Sequence, residues 1–181
     1  MGDVSLSLRS WNKSSDYCSW IGVKCDAKSG KVVSLSFIFI HLNNSFKPNS
    51  GLFKLQYLQN LTFYNCYLYG EIPSSLGNFS HLTLLELTQN NFVGPLPASI
   101  GNLTQLRYLR LSQNSFSGKI PNSFANLTKL SEVNLDNNYF ESTLPPDMSR
   151  FHSLEYFSAS ANSFLGSFPR SFVHESFVEI R

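Results

Sequence analysis

The stretch LTLLELTQNNFVGPLP, Leu82 to Pro97, returns four more times at a fixed spacing of 24 residues. The other copies are Leu58–Pro73 (LQNLTFYNCYLYGEIP), Leu106–Pro121 (LRYLRLSQNSFSGKIP), Leu130–Pro145 (LSEVNLDNNYFESTLP) and Leu154–Pro169 (LEYFSASANSFLGSFP). A unit of this length cannot bury its apolar face alone, but neighbouring units can do so by stacking. The repeat therefore predicts a solenoid.

Each copy opens with alternating apolar residues, such as Leu85 and Leu87, which predict a short strand with one buried face. Three residues later comes an inward polar position, occupied by Cys66, Asn90, Asn114, Asn138 and Asn162. This is the leucine-rich-repeat pattern L-x-x-L-x-L-x-x-N/C-x-L. We expect each asparagine amide to bond buried backbone groups of the turn. Cys66 would fill the same position as a buried thiol without those bonds, and intermolecular pairing is its alternative.

The second half of each copy carries a Gly-x-x-Pro segment, as in Gly94–Pro97, and then a short apolar turn, as in Ser99–Leu103. Glycine suits a tight turn, and proline suits an extended segment. One strand and one turn per repeat predict an α/β repeat fold. We expect a curved solenoid with a parallel concave sheet and short 3-10 or loop turns on the convex side.

The segment LxGxIPxxLGNL(T/S) resembles the extracellular leucine-rich repeats of plant receptor-like proteins and receptor-like kinases, from about Trp11 to Phe172. The resemblance implies a non-catalytic ectodomain at the outer side of the plasma membrane, which binds a peptide or protein and signals through a co-receptor kinase in defence or development. A secreted inhibitor of a microbial cell-wall enzyme, similar to the polygalacturonase-inhibiting proteins, is one alternative. A truncated, non-functional receptor product is another.

The same resemblance divides the chain. Cys18-Ser-Trp-Ile-Gly-Val-Lys-Cys25 is similar to the N-terminal cap of these receptors and implies a disulfide between Cys18 and Cys25. Two reduced thiols are the alternative, and a metal site is disfavoured because no second CxxC or histidine pair accompanies them. We expect a truncated cap at 1–31, an irregular first repeat at 32–54, five regular repeats at 55–172, and an incomplete repeat or tail at 173–181.

Composition and motifs exclude several function classes. The formal charge of +2 gives no reason to expect nucleic acid or an anionic membrane as partner. No apolar run approaches the roughly 18 residues of a membrane-spanning helix, and the N-terminus lacks the pattern of a secretory signal. The four histidines are scattered and belong to no catalytic or metal-binding motif. We therefore expect no enzyme activity, cofactor or metal.

The concave face is the expected binding surface, because alternate strand residues must point outward there. Its mixture of aromatic, charged and amide side chains suits a peptide or protein ligand. The candidates are Tyr64, Glu86, Tyr108, Arg110, Glu132, Asn134, Asp136 and Tyr156, with Tyr108, Arg110, Glu132 and Tyr156 as the best cluster. The alternative is a solvated sheet with a weak Glu86–Arg110 pair.

Six Asn-x-Ser/Thr sequences predict N-glycosylation, at Asn12, Asn43, Asn60, Asn78, Asn102 and Asn126. Three of them, Asn78, Asn102 and Asn126, lie one repeat apart in the convex turn, so their glycans would project away from the concave face. Asn60 points to the concave side, where a glycan would limit access. The alternative is that GNL(T/S) recurs only as good turn chemistry.

Overall fold

The computed structural model describes residues 11, 14–142 and 149–165, and two parallel sheets run along this part of the chain. The concave sheet contains β1 (Val23–Cys25), β2 (Val32–Ile38), β3 (Asn60–Tyr64), β5 (Leu84–Glu86), β7 (Tyr108–Arg110), β9 (Glu132–Asn134) and β11 (Tyr156–Ser158), in that spatial order. Only β1 in this sheet is antiparallel to its neighbour. Equivalent residues pair across repeats, so Leu61 lies opposite Leu85 and Leu85 opposite Leu109. The predicted leucine-rich-repeat solenoid is confirmed.

A second parallel sheet was not predicted. It contains β4 (Tyr69–Gly70), β6 (Asn91–Gly94), β8 (Ser115–Gly118), β10 (Tyr139–Ser142) and β12 (Ser163–Phe164). In this segment we expected a tight or positive-φ turn at the glycine and an extended segment at the proline, but no pairing between strands. Gly94 and Gly118 do have positive φ, of 75° and 72°, but each stands at the end of a strand. Because the same segment recurs in register, its backbone groups pair with those of the next repeat.

Short 3-10 helices form the convex side, as the sequence predicts. They span Gly51–Lys54, Ser74–Asn78, Ala98–Asn102 and Asn122–Asn126, and the cap has another at Tyr17–Ser19. The last three convex helices each follow a proline in extended conformation, at Pro73, Pro97 and Pro121. Proline suits this position because the residue before a helix need not donate an intrahelical hydrogen bond.

The core lies between the two sheets and the convex helices. Leucines of successive repeats, such as Leu85, Leu109 and Leu111, have no exposed surface. Beside them Phe92, Phe116 and Phe140 stack with ring centroids 5.8 and 5.9 Å apart. Each phenylalanine follows the inward asparagine by two residues, so the 24-residue period also aligns an aromatic column.

The inward asparagines connect neighbouring repeats through buried hydrogen bonds. The Asn114 Nδ2 group donates to the carbonyls of Leu87 at 2.8 Å and Leu111 at 3.1 Å, and its Oδ1 accepts from the N–H of Phe92 at 3.1 Å. Asn90, Asn138 and Asn162 repeat this arrangement. The predicted backbone bonding of the asparagine amide is therefore present in these four repeats.

Cys66 departs from our expectation in one respect. Its thiol is buried but not without partners, since Sγ lies 3.3 Å from the carbonyl oxygen of Phe37 and 3.4 Å from that of Tyr64. Its backbone N–H donates to the Asn90 amide oxygen. The thiol is small enough to sit against these carbonyls and act as a weak donor. Burial raises the pKa of the Cys66 thiol.

The cap covers the first repeat through a disulfide and an aromatic contact. Cys18 and Cys25 are bonded, as the resemblance implies, and β1 pairs with β2. Trp11 packs on Trp20 and Phe37, with ring centroids 4.7 and 5.5 Å apart. Phe37 on β2 therefore contacts the cap. The predicted boundaries of cap and repeats stay predictions, and residues 1–10, 12–13, 143–148 and 166–181 lie outside the described residues.

Candidate ligand-binding face

The concave face consists of side chains from alternate strand positions, arranged in rows across the repeats. Pairing in register aligns one row through Ser34, Asn60, Leu84, Tyr108, Glu132 and Tyr156, and a second through Ser36, Thr62, Glu86, Arg110, Asn134 and Ser158. Ile38 and Tyr64 begin a third row. Because neighbouring parallel strands lie about 4.8 Å apart, each row presents a side chain roughly every 4.8 Å.

A charged pair occupies the middle of this face. Arg110 binds Glu132 in a bidentate arrangement, with Nε–Oε1 at 2.6 Å and Nη2–Oε2 at 2.7 Å. The hydrogen bond to Glu132 raises the pKa of Arg110. A more distant contact joins Arg110 Nη1 to Glu86 Oε2 at 3.8 Å. The fork of the guanidinium matches the carboxylate, so this pair is geometrically fixed rather than a loose surface contact.

Two tyrosines flank Glu132 in its row. Tyr108 and Tyr156 are its register partners on the strands to either side. Tyr108 is 41% exposed, and the Arg110 guanidinium lies 5.8 Å from its ring centroid. The structure thus brings together the four residues of the predicted best cluster.

The remaining polar candidates also have structural contacts. Glu86 is nearly buried and accepts a hydrogen bond from the Thr88 N–H at 2.8 Å, just as Asn134 accepts one from the Asp136 N–H at 3.0 Å. Asp136 accepts from the Ser158 hydroxyl and the Ser160 N–H, both at 2.6 Å. Each of these side chains accepts a hydrogen bond from a backbone N–H near the end of a strand. Removing one therefore disturbs the sheet as well as the chemistry of the concave face.

Tyr64 lies apart from the central cluster, two strands away from Arg110 on β3. Its neighbours are two residues that the sequence reasoning did not propose: Ile38 pairs with it in register, and Phe39 packs edge-to-face on it at 5.3 Å. Ile38 and Phe39 are 53% and 65% exposed. The apolar run from Phe37 to Ile40 was the available signal, because both of its faces are apolar while the cap contacts one of them.

A cleft of about 920 Å³ lies where the cap meets the first repeat, and its lining includes Trp11, Trp20 and Phe37. At its edge Lys31 Nζ sits 3.5 Å from the Tyr57 ring centroid and lowers the pKa of the Tyr57 phenol through a hydrogen bond. The described residues contain no group of three or more metal-ligating side chains. In the same part of the chain, no helix has the length and apolar character needed to cross a bilayer.

The glycosylation candidates occupy different surroundings. Asn78, Asn102 and Asn126 are exposed at the ends of their 3-10 helices, and Asn43 is exposed in the first repeat. Asn60 is half-buried on the concave sheet, where its Oδ1 accepts from the Thr83 hydroxyl at 3.2 Å. Asn12 lies outside the described residues. All six stay predictions.

Comparison with known proteins gives two family matches. A leucine-rich repeat N-terminal domain matches residues 2–26, and a leucine-rich repeat region matches residues 30–174, which is most of the chain. Receptor-like protein 31 of Arabidopsis thaliana is 68% identical over 84 residues, covering 46% of this chain and 10% of that protein. The chain therefore spans about a tenth of the length of this relative.

Solved structures agree on the fold. The Arabidopsis receptor kinase HAESA, in complex with the peptide hormone IDA and the co-receptor SERK1, aligns with a TM-score of 0.86 at 30% identity, over 99% of this chain and 30% of that one. A plant ice-binding protein aligns with a TM-score of 0.83 at 29% identity, over 93% of this chain and 56% of that one. One architecture thus serves different functions. Together with the repeat geometry and the family matches, these likenesses establish that the chain belongs to the leucine-rich-repeat family, in the form found in plant receptor-like proteins.

Proposed function

We propose that this chain is part of the ligand-recognition ectodomain of a plant cell-surface receptor-like protein. Its concave face captures a peptide or protein, and the signal passes to a co-receptor. The chain acts by binding and not by catalysis, and it works on the extracellular side of the plasma membrane, in defence or developmental perception.

The observation that carries this proposal is the central cluster of the concave face. A bidentate ion pair between Arg110 and Glu132 is framed by Tyr108 and Tyr156 on a rigid parallel sheet. Tyrosine and arginine are enriched among the residues that dominate binding energy, and rigid side chains lose little entropy on binding. The receptor-like relatives, and the HAESA structure that holds a peptide hormone and a co-receptor, support the same function.

The test is to select random displayed peptides on the glycosylated protein and to map where they bind. We expect the replacement of Tyr108 by alanine to weaken recovered peptides at least about tenfold, or roughly 1.4 kcal/mol. The matched control is Tyr139→Ala, because Tyr139 is 64% exposed but belongs to the second sheet. Equal loss in both variants, or no peptide that competes at the concave face, would count against this function.

The mass of the protein from plant tissue, before and after enzymatic removal of N-glycans, tests its cellular setting. A glycan shift on a larger membrane protein supports the receptor. A shift on a secreted protein of this length would favour the inhibitor instead, and an unglycosylated cytosolic product would contradict both.

A further inference from the structure

An apolar patch, formed by Ile38, Phe39 and Tyr64, interrupts the otherwise polar concave face at its N-terminal end. Ile38 and Phe39 expose 53% and 65% of their surface. Later repeats carry Thr88, Ser112, Asp136 and Ser160 at the position of Ile38 and Tyr64, and Asn65, Gln89, Gln113, Asn137 and Ala161 at the position of Phe39. Large apolar side chains exposed in contact with one another mark a surface that a partner covers.

The adjoining part of the face is negatively charged. The rows contain the carboxylates of Glu86, Glu132 and Asp136, the guanidinium of Arg110, and the ammonium of Lys24, which is the register partner of Ser34. These charges leave one net negative charge. The whole chain has the opposite sign, with a formal charge of +2. The concave face therefore attracts a cationic partner even though the chain as a whole is basic.

Glu86 is the carboxylate best placed to meet that partner beside the apolar patch. Arg110 binds Glu132 at 2.6 and 2.7 Å, while its Nη1 atom lies 3.8 Å from Glu86 Oε2. The Oε1 atom of Glu86 accepts a hydrogen bond from the Thr88 N–H, and its Oε2 atom makes the 3.8 Å contact to Arg110. A ligand ammonium or guanidinium at Oε2 would complete a partly buried charge-assisted hydrogen bond.

The spacing between patch and carboxylate sets the ligand geometry. Glu86 lies on β5, two strands from Ile38 on β2, which is about 9.6 Å across the sheet. Glu86 also lies one row from Ile38, which is two residues or about 6.6 Å along the strands, so the two positions are about 12 Å apart. An extended peptide advances about 3.3 Å per residue and its side chains alternate between two faces, so residues four positions apart span about 13 Å and point to the same side.

We propose that the concave face binds an extended peptide segment that places an aromatic or aliphatic side chain on Ile38, Phe39 and Tyr64 and a lysine or arginine, four residues away, at Glu86. This inference rests on the proposed function and specifies the class of ligand. The segment crosses the strands, so the basic residue can lie on either side of the apolar one along the peptide.

The experiment uses the peptides recovered by display selection on the intact protein. We expect enrichment of lysine or arginine four positions from an aromatic or aliphatic residue. A fluorescent peptide with this motif should bind about threefold to tenfold more weakly to Glu86→Gln, since glutamine keeps an oxygen for the Thr88 N–H and loses only the charge. Replacing the basic residue of the peptide by glutamate should cost at least as much.

Phe39→Asn tests the apolar patch without the risk of unfolding. Phe39 has φ of 57°, a conformation that asparagine tolerates better, and asparagine already occupies this position at Asn65 and Asn137. We expect binding to weaken at least about threefold while thermal stability stays the same or rises. Tyr139→Ala is again the matched control.

Failure of this inference differs from failure of the proposed function. Peptides that lose affinity with Tyr108→Ala but show no basic or apolar preference, and no response to Glu86→Gln, would leave the function standing and overturn the ligand class. The absence of any peptide at the concave face would overturn both.

Discussion

The inward asparagine is the residue that most directly links one repeat to the next. Asn114 satisfies the N–H of Phe92 in the preceding repeat as well as the carbonyl of its own Leu111. Water does not reach these groups, so the amide supplies what solvent would supply in an open turn. A single side chain thus bonds buried backbone N–H and C=O groups that stacking of the repeats alone would leave without hydrogen-bond partners.

Replacement of Asn114 by alanine should therefore destabilise the protein by about 2–4 kcal/mol, because it orphans buried donors and acceptors worth about 1–3 kcal/mol each. Denaturant unfolding measures the change. Asn91→Ala is the control, since Asn91 is exposed, and it should change stability by less than about 0.5 kcal/mol. Similar losses in the two variants would show that the inward bonds do not matter.

Cys66 makes stability depend on pH in a predictable direction. Burial raises the pKa of its thiol, so above the ordinary cysteine pKa of about 8.5 the unfolded chain loses this proton more readily than the folded one. The wild type should thus lose stability relative to Cys66→Ala as pH rises from about 8.5. Urea unfolding of both proteins at pH 7 and pH 9.5 measures this, and a difference independent of pH would refute it.

Two of the convex 3-10 helices pack so closely on the next helix that a Cβ at Gly77 or Gly101 would clash with it. A Cβ on Gly101 would lie 2.6 Å from Ser123 Cβ and closer still to the Ser123 carbonyl oxygen, which belongs to the next helix. Backbone cannot move aside as a flexible side chain would. The spacing between successive convex turns is therefore limited by this contact.

We expect Gly101→Ala to cost about 1–3 kcal/mol through overpacking, as observed for enlarged side chains in well-packed cores. Gly51→Ala is the matched control, because no atom lies within 4 Å of the added Cβ and Gly51 also stands in a convex 3-10 helix. Thermal unfolding of the two variants should separate them by several degrees. Equal melting temperatures would contradict the proposed crowding.

We expect destabilisation of the cap to affect the first repeat and to leave the distant repeats unchanged. Removal of the Cys18–Cys25 disulfide in a Cys18→Ser/Cys25→Ser variant should destabilise the cap by about 2–3 kcal/mol, given the short loop that the bond closes. Hydrogen exchange should accelerate at the Ser36 amide, which donates to Gly22. Amides of β7 and β9 should keep their protection, since a solenoid repeat contacts only its neighbours. Uniform acceleration along the chain would argue against this local response.

The solenoid places the proposed binding surface and the glycosylation candidates of the convex helices on different faces. Asn78, Asn102 and Asn126 are exposed on the convex helices, whereas Asn60 is half-buried on the concave sheet and bonded to Thr83. Glycans on the convex side leave the concave face accessible. A glycan attached to the Asn60 side-chain nitrogen would crowd the first rows of the face.

Protein expressed in plant secretory cells should thus carry glycans at Asn78, Asn102 and Asn126 but not at Asn60. Glycopeptide mass spectrometry gives the occupancy of each site. Asn102→Gln should remove one glycan without changing peptide binding, and Asn60→Gln should leave the glycan number unchanged. Full occupancy at Asn60 in a protein that still binds peptides would contradict this assignment of faces.

The 24-residue period by itself determined the solenoid, the concave strands, the inward asparagines and the rows of outward side chains. These are properties of a periodic chain, in which identical local patterns must pair in register and alternate residues must face opposite ways. The resemblance of the cap motif likewise anticipated the bond between Cys18 and Cys25. The sequence pattern was sufficient to predict these features because each of them lies within one repeat or joins equivalent positions of two repeats.

Contacts between non-equivalent positions could not be read from the repeat pattern and became visible only in the folded protein. Arg110 on β7 forms its bidentate ion pair with Glu132, which lies diagonally across on β9, and not with its register partner Glu86. The Glu132 carboxylate accepts hydrogen bonds from both Nε and Nη2 of the guanidinium. The second sheet arose where the sequence indicated turns, since stacked backbone segments can satisfy one another once the repeats are in register. The exposure of Ile38 and Phe39 depends on how far the cap extends over β2. The residue pattern of the repeats does not specify that distance.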